Sequence, residues 1–239
     1  MSHRFAIVNA DDFGQSHGVN RGIAEAHEQG ILTNASLMVR WSAAGDAAAY
    51  ARNHPALGVG LHLDLGEWTL RAGEWAPLYE VVDISDSRAI AGEVMWQLEA
   101  FERLLNRPPA QIDSHQHVHL REPVRSIVCE AAERQGIAVR DVSIPYCGSF
   151  YGQDQHGVSY REWIGVPALI KILEGLTAKV TEISCHPAAA DELDTQYRVE
   201  RIDELRTLCD PRVRKAIDEL GISLISFANW KSLAGKAAT

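Results

Sequence analysis

Cysteine is scarce in this chain. Four residues, Cys129, Cys147, Cys185 and Cys209, are spread through 239 positions, and none stands in a C-x-x-C pair. That argues against a disulfide framework and against a thiolate zinc site. Basic charge is short as well: 23 Lys and Arg face 32 Asp and Glu, a formal net charge of −9. A general nucleic-acid binder needs a basic face to neutralise phosphates, and an anionic membrane surface attracts the same kind of face. Neither partner is expected, whereas a neutral or cationic small molecule is. No apolar run approaches the roughly 18 residues of a membrane span. The opening MSHRFAIVNADD turns polar after about five apolar residues, too few for a signal-peptide core. Gly/Ser or Pro linkers, internal repeats and low-complexity tracts are all missing. The expectation is one domain over residues 1–239, cytoplasmic, with reduced thiols.

What is present is a regular alternation of short apolar runs and longer helical patterns. Strands are expected at Phe5–Asn9, Ala35–Val39, Gly58–Leu63, Gln111–His115, Ile137–Val142, Val180–Cys185 and Ile222–Phe227. Several are nearly continuous Val, Ile and Leu, as parallel strands buried on both faces require. Helices are expected at Val19–Gln29, Ala43–Asn53, Arg88–Leu105, Pro123–Gln135, Val166–Leu176, Arg201–Leu208 and Arg212–Leu220. Their ends carry stop and start signals: Gly30 and Gly136 follow two of them, and Asp210-Pro211 precedes another. Repeated strand–helix alternation with about seven units predicts a TIM-like (β/α) barrel of about seven parallel strands. Pro145–Gly165, rich in Gly and aromatics, has no period and reads as a long loop over the site.

The unusual polar residues fall at strand ends. Asp11 and Asp12 follow the first strand in "NADDFG". His62 ends the third in "GLHLDLG". Asp113, His115, His117 and His119 lie in "IDSHQHVHL", and His186 lies in "SCHPA". In a parallel barrel these ends gather on one face, where active sites are built. Each has a bland alternative. Asp12 can cap the following helix, His62 can be a satisfied core histidine, and HQHVH can be a half-exposed alternating strand. Their coincidence at four strand ends, with strand interiors carrying almost no such groups, argues for a shared ion, because burying them otherwise is costly. In a strand, residues i, i+2 and i+4 point to one face, so His115, His117 and His119 aim alike, with Asp113 on the same side. One carboxylate and two imidazoles with open positions suit a divalent ion, and Zn, Mg, Mn, Fe and Co all remain open. Such an ion lowers the pKa of its water, and a carboxylate beside it can remove the proton.

Taken together, "NADDFG…GVNRGIAEAHEQGILTNASLMV", "GLHLDLG", "DSHQHVHL", "FYGQ" and "SCHPA" resemble the YdjC/ChbG-like carbohydrate deacetylases, relatives of the NodB-type polysaccharide deacetylases, in the family's order from about residue 5 to 190. The resemblance implies a TIM-like barrel and metal-dependent removal of acetyl from an N-acetylated sugar such as diacetylchitobiose, with Mg or Zn as the foremost ions. It implies Asp12, His62 and His115 as metal ligands, Asp11 as general base and His186 as general acid. The preference for His115 over His117 comes from the family alone. Asp113, His117, His119, Arg140 and Tyr151 are left as substrate-binding or supporting residues, with Arg140 a candidate to orient Asp11 by a charge-assisted hydrogen bond. Tyr146, Phe150, Tyr151 and Trp163 are candidate platforms for sugar rings. Trp68, Trp75 and Trp96 are expected outside the pocket, where they make a homodimer plausible. Two rivals stand beside this reading: a non-haem iron oxygenase, which shares the two-histidine, one-carboxylate set, and a non-catalytic sugar- or metal-binding barrel.

Overall fold

The computed structural model describes residues 3–71, 74–190, 193 and 195–236. In chain order the elements are β1 (Arg4–Phe13), α1 (His17–Gln29), β2 (Asn34–Leu37), α2 (Ala44–Asn53), β3 (Gly58–Leu63), β4 (Gly66–Arg71), β5 (Glu74–Glu80), α3 (Ser87–Leu105), β6 (Gln111–Ser114), α4 (Val124–Gln135), β7 (Ala138–Val139), β8 (Tyr146–Cys147), α5 (Val166–Glu174), β9 (Val180–Cys185), α6 (Val199–Leu208), α7 (Pro211–Glu219), β10 (Ile222–Leu224) and α8 (Trp230–Lys236).

Eight strands form one sheet in the order β7-β6-β3-β2-β1-β9-β8, with β10 on the first residues of β1. Every pairing in it is parallel. All seven expected strands are there; β8 is the one the sequence did not announce. The ring does not close between β7 and β8 among the described residues, which gives an open, TIM-like barrel. The cause is local. The expected strand Ile137–Val142 stops at Val139, because the N–H groups of Val142 and Ser143 both turn back to its carbonyl. Asp141 then takes a left-handed φ of +54°. Two-residue strands leave nothing to ladder across the gap.

The helix signals act as their chemistry predicts. Ser16 caps α1 by accepting from the Val19 N–H, Asp86 caps α3, and Asp210 caps α7. Gly136 closes α4 at a φ of +68°. Gly22 on α1 meets the backbone of Ala188 so closely that a Cβ would lie 2.5 Å from it. The segment carrying His186 is thereby pressed onto α1, and the Ala189 N–H donates to the Gly18 carbonyl at 2.9 Å.

Two features depart from expectation. Gly66–Arg71 and Glu74–Glu80, to which the sequence reading assigned no element, form the antiparallel pair β4–β5. The strand interiors are also not free of polar groups. Asn9, Asn34, Ser36, Gln111 and Glu182 are all buried there. Asn9 donates to Ser36 at 2.9 Å, Asn34 to Asn9 at 2.6 Å, Gln111 to Ser36 at 2.9 Å and Ser36 to Asp113 at 2.6 Å. Burying such groups is tolerable because nearly every partner is another member of the network. Gly58 and Gly60 make room for it: a Cβ at either position would lie 2.1 Å from the Asn34 or Gln111 side chain. The floor of the site is therefore a polar plug, in place of the apolar layers usual in such barrels.

Candidate active site

Neighbouring residues of a strand point to opposite faces, yet Asp11 and Asp12 both reach one centre. The β1–β2 register shifts between Ala10 and Phe13, and Asp12 takes a φ of +66°. A bulge of this kind re-aims side chains. The left-handed conformation costs about 1–3 kcal/mol in general, less for Asp, whose short side chain tolerates it. The capping alternative for Asp12 fails, since Ser16 already caps α1.

Asp12 Oδ1 lies 3.2 Å from His62 Nε2 and 3.2 Å from His115 Nδ1. One ligand atom from each of the three falls within 4.8 Å of the others. Behind His62, Nδ1 meets Asp113 Oδ1 at 2.7 Å, while Nε2 is buried with no hydrogen-bond partner among the described residues. A carboxylate on one imidazole nitrogen with the other free is the arrangement that orients a histidine for a metal. Burial pushes both imidazoles down, but Asp113 and Asp12 outweigh it at His62, and Asp12 and Glu67 at His115, holding them at about 10 and about 9. The site thus draws positive charge to itself, which a divalent cation fits; binding one would release those protons. Asp11, His62 and Asp113 also approach one another, but the Arg140 guanidinium already occupies that space, 2.6 Å from Asp11 and 2.8 Å from Asp113.

Arg140 is fully buried. It donates through both terminal nitrogens to Asp11 at 2.6 Å, and through Nε to Glu182 at 2.8 Å. Burial pushes Asp11 up, but Arg140 outweighs it and holds the carboxyl well below the usual range. His186 Nε2 stands 3.7 Å from Asp11 Oδ2. The His186 ring packs edge-on against Tyr151 and Tyr197, and burial pushes its pKa down to about 4. Its backbone N–H donates to Glu204, which also accepts the Tyr197 hydroxyl.

Burial raises Glu204 to about 8 from 4.5. Between those values the unfolded chain loses a proton that the folded protein keeps. This contribution to stability is fully present below about pH 4.5 and is lost as pH rises through about 8, by at most about 1.4 kcal/mol per pH unit. Glu204→Gln is expected to remove that decline, so that the variant gains on the parent from pH 5 to pH 8. Urea unfolding at stepped pH checks this; parallel stability–pH curves would contradict it.

The other expected residues divide into two groups. Tyr151 and His117 line the cleft, while Asp113, His119 and Arg140 lie beneath it. The three histidines of HQHVH do not aim alike. The strand stops at Ser114, and residues 115–120 form a kinked turn in which Gln116 and His117 have φ of +51° and +54°. His115 turns to Asp12, His117 to the Tyr146 hydroxyl at 3.3 Å, and His119 to Ser114 at 2.7 Å. Of the loop aromatics, Tyr146 and Tyr151 line the cleft. Phe150 is buried in the core, and Trp163 stacks on Tyr160 at 4.3 Å, away from the cleft lining. Trp68 and Trp75, expected outside the pocket, line it, because β4–β5 forms one wall; Trp96 lies elsewhere, under the Arg40 guanidinium at 4.7 Å. The surface argument for a dimer loses two of its three residues.

Sequence reasoning missed Arg201, Glu67, Glu182 and Glu204. Glu182 had a readable signal, an acid inside the buried run VTEISC. Arg201 and Glu204 had none, since in α6 the charged Glu200, Arg201 and Glu204 are buried while Val199 is exposed, the reverse of what hydrophobic periodicity assumes. The cleft they help to build has a volume of about 450 Å³.

An open parallel β/α barrel, with a carboxylate and two imidazoles converging at its strand ends beside an arginine-locked carboxylate and a half-buried histidine, defines a metal-competent enzyme of the barrel hydrolase type. Comparison with known proteins is specific: the YdjC-like protein family model matches residues 5–219, and the chain belongs to that family. It is 34% identical to a carbohydrate deacetylase of Geobacillus stearothermophilus, over 96% of this chain and 99% of that one. It is 33% identical to a chitooligosaccharide deacetylase of Salmonella schwarzengrund, over 94% of this chain and 98% of that one. A solved structure from Enterococcus faecalis V583, described as a proposed cellobiose-phosphate cleavage protein, has a TM-score of 0.75 at 25% identity and covers 95% of this chain and 99% of its own.

Proposed function

We propose that the protein hydrolyses the acetamido group of an N-acetylated sugar with a divalent cation held by Asp12, His62 and His115. The observation that carries the reading is Asp11: a buried carboxylate beside the three-residue cluster, fixed by two 2.6 Å hydrogen bonds from Arg140. A bound cation supplies Lewis acidity, acidifying water and polarising a carbonyl. Two imidazoles and one carboxylate favour Zn²⁺ or a similar transition ion over Mg²⁺.

The chain's own residues handle the protons. Asp11 takes one proton from the attacking water as the new C–O bond forms. Held below the usual carboxylate range, Asp11 is a poor final resting place for it. His186 Nε2, 3.7 Å away, is the next acceptor. Neutral at rest, His186 gains that proton and gives it to the nitrogen as the C–N bond breaks, releasing the amine and acetic acid, whose remaining proton is lost to the amine or to water to give acetate. Arg140 aims Asp11 and favours its return to the ionised form once the proton has passed to His186. Tyr151, stacked on Tyr197 at 4.2 Å, and the exposed Trp75 offer flat apolar faces to a sugar ring. Among the described residues no helix is long and apolar enough to cross a membrane.

An acetate-release screen across N-acetylated sugars, after stripping and re-adding single metals, tests the reading. Acetate is expected from at least one amino sugar, only with a divalent ion present. Silence across the panel with every ion, or undiminished turnover in chelator, would contradict it.

A further inference from the structure

Arg201 lies on α6, buried, and no sequence motif marks it. Its Nη2 donates to Asp12 Oδ2 at 2.7 Å, and its Nε donates to the Tyr197 carbonyl at 2.9 Å. Its Nη1 has no hydrogen-bond partner among the described residues, and the guanidinium also lies over the Tyr197 ring at 5.7 Å. The other oxygen of Asp12 faces the two histidines, at 3.2 Å from each. One carboxylate is thus divided between two tasks.

We infer that Arg201 is a positioning residue that withholds Oδ2 from the cation, so that Asp12 ligates through Oδ1 alone. The inference rests on the metal-binding reading of Asp12, His62 and His115. A carboxylate free at both oxygens can chelate and fill two positions, whereas a charge-assisted hydrogen bond to one oxygen leaves a single ligating atom. A catalytic site keeps a position open for its reactant, while a structural site is closed. Arg201 keeps this one open. The guanidinium also draws charge from Asp12, so the site trades cation affinity for an available position. An arginine that merely offset a buried carboxylate during folding would have no such effect on coordination.

The test uses the full chain, stripped of metal and titrated with Co²⁺ alone, as wild type, Arg201→Met and Arg201→Lys. Arg201→Met is expected to bind Co²⁺ about tenfold more tightly, equivalent to about 1.4 kcal/mol, with one more oxygen in the X-ray absorption shell. Arg201→Lys is expected to keep the wild-type shell. Equal or weaker affinity with an unchanged shell in a folded Arg201→Met overturns the inference. If that variant does not fold, the wild-type spectrum decides: one Asp12 oxygen supports the inference, and two overturn it. Wild type that fails to bind Co²⁺ removes the metal site itself, and the inference with it.

Discussion

Replacing Asp11 by Asn is expected to lower acetate release by about 10²–10⁴-fold, the usual contribution of a positioned proton acceptor, while leaving the cation in place. The separation of effects follows from geometry. Asp11 is held by Arg140 and Asn9 and lies outside the Asp12–His62–His115 set. Asn is nearly isosteric and still accepts one hydrogen bond from the guanidinium, but it cannot take a proton. The measurement is steady-state acetate release with metal content determined on the same sample. Full activity with metal retained would remove Asp11 as the base; loss of metal together with activity would place Asp11 among the ligands. The oxygenase alternative needs no Asp11 and predicts no acetate at all, but turnover that depends on oxygen and a 2-oxo acid.

The second large effect concerns folding. Arg140→Met is expected to cost about 3–5 kcal/mol, the range for removing one partner of a buried ion pair. Arg140 is the common counter-charge of Asp11, Asp113 and Glu182, all within 2.8 Å of it. Removing it leaves Asp11 and Glu182 without their counter-charge and Asp113 with only the His62 imidazole beside it. Arg140→Lys keeps the charge without the planar fork and is expected to fall in between. Denaturant midpoints of the three proteins report the order directly. A loss below about 1 kcal/mol for Arg140→Met would show that the network carries its charge in another way.

How much of this was legible beforehand depends on the kind of signal. Helix boundaries were written in single residues: Gly30, Gly136, Asp210 and Pro211 mark ends that local backbone chemistry decides. The seven apolar runs found their strands because parallel strands buried on both faces are mostly apolar. The HQHVH turn defeated the period-2 argument because Gln116 and His117 adopt positive φ, which alternation cannot reveal. The β4–β5 pair hid behind weak alternation; its antiparallel pairing makes a cleft wall of Trp68 and Trp75, which the sequence places outside the pocket. The polar plug was missed because Asn9, Asn34, Ser36 and Gln111 look harmless one at a time and are satisfied only by one another. Arg201 shows the limit: its meaning lies in one 2.7 Å contact with a residue 189 positions away.

The central claim is a cation shared by three residues from three separate strand ends. Anomalous diffraction from crystals soaked in Zn²⁺ or Co²⁺ tests it most directly. A single strong peak is expected about 2.0–2.2 Å from Asp12 Oδ1, His62 Nε2 and one His115 nitrogen. A peak elsewhere, or none with the three side chains ordered, would contradict the account.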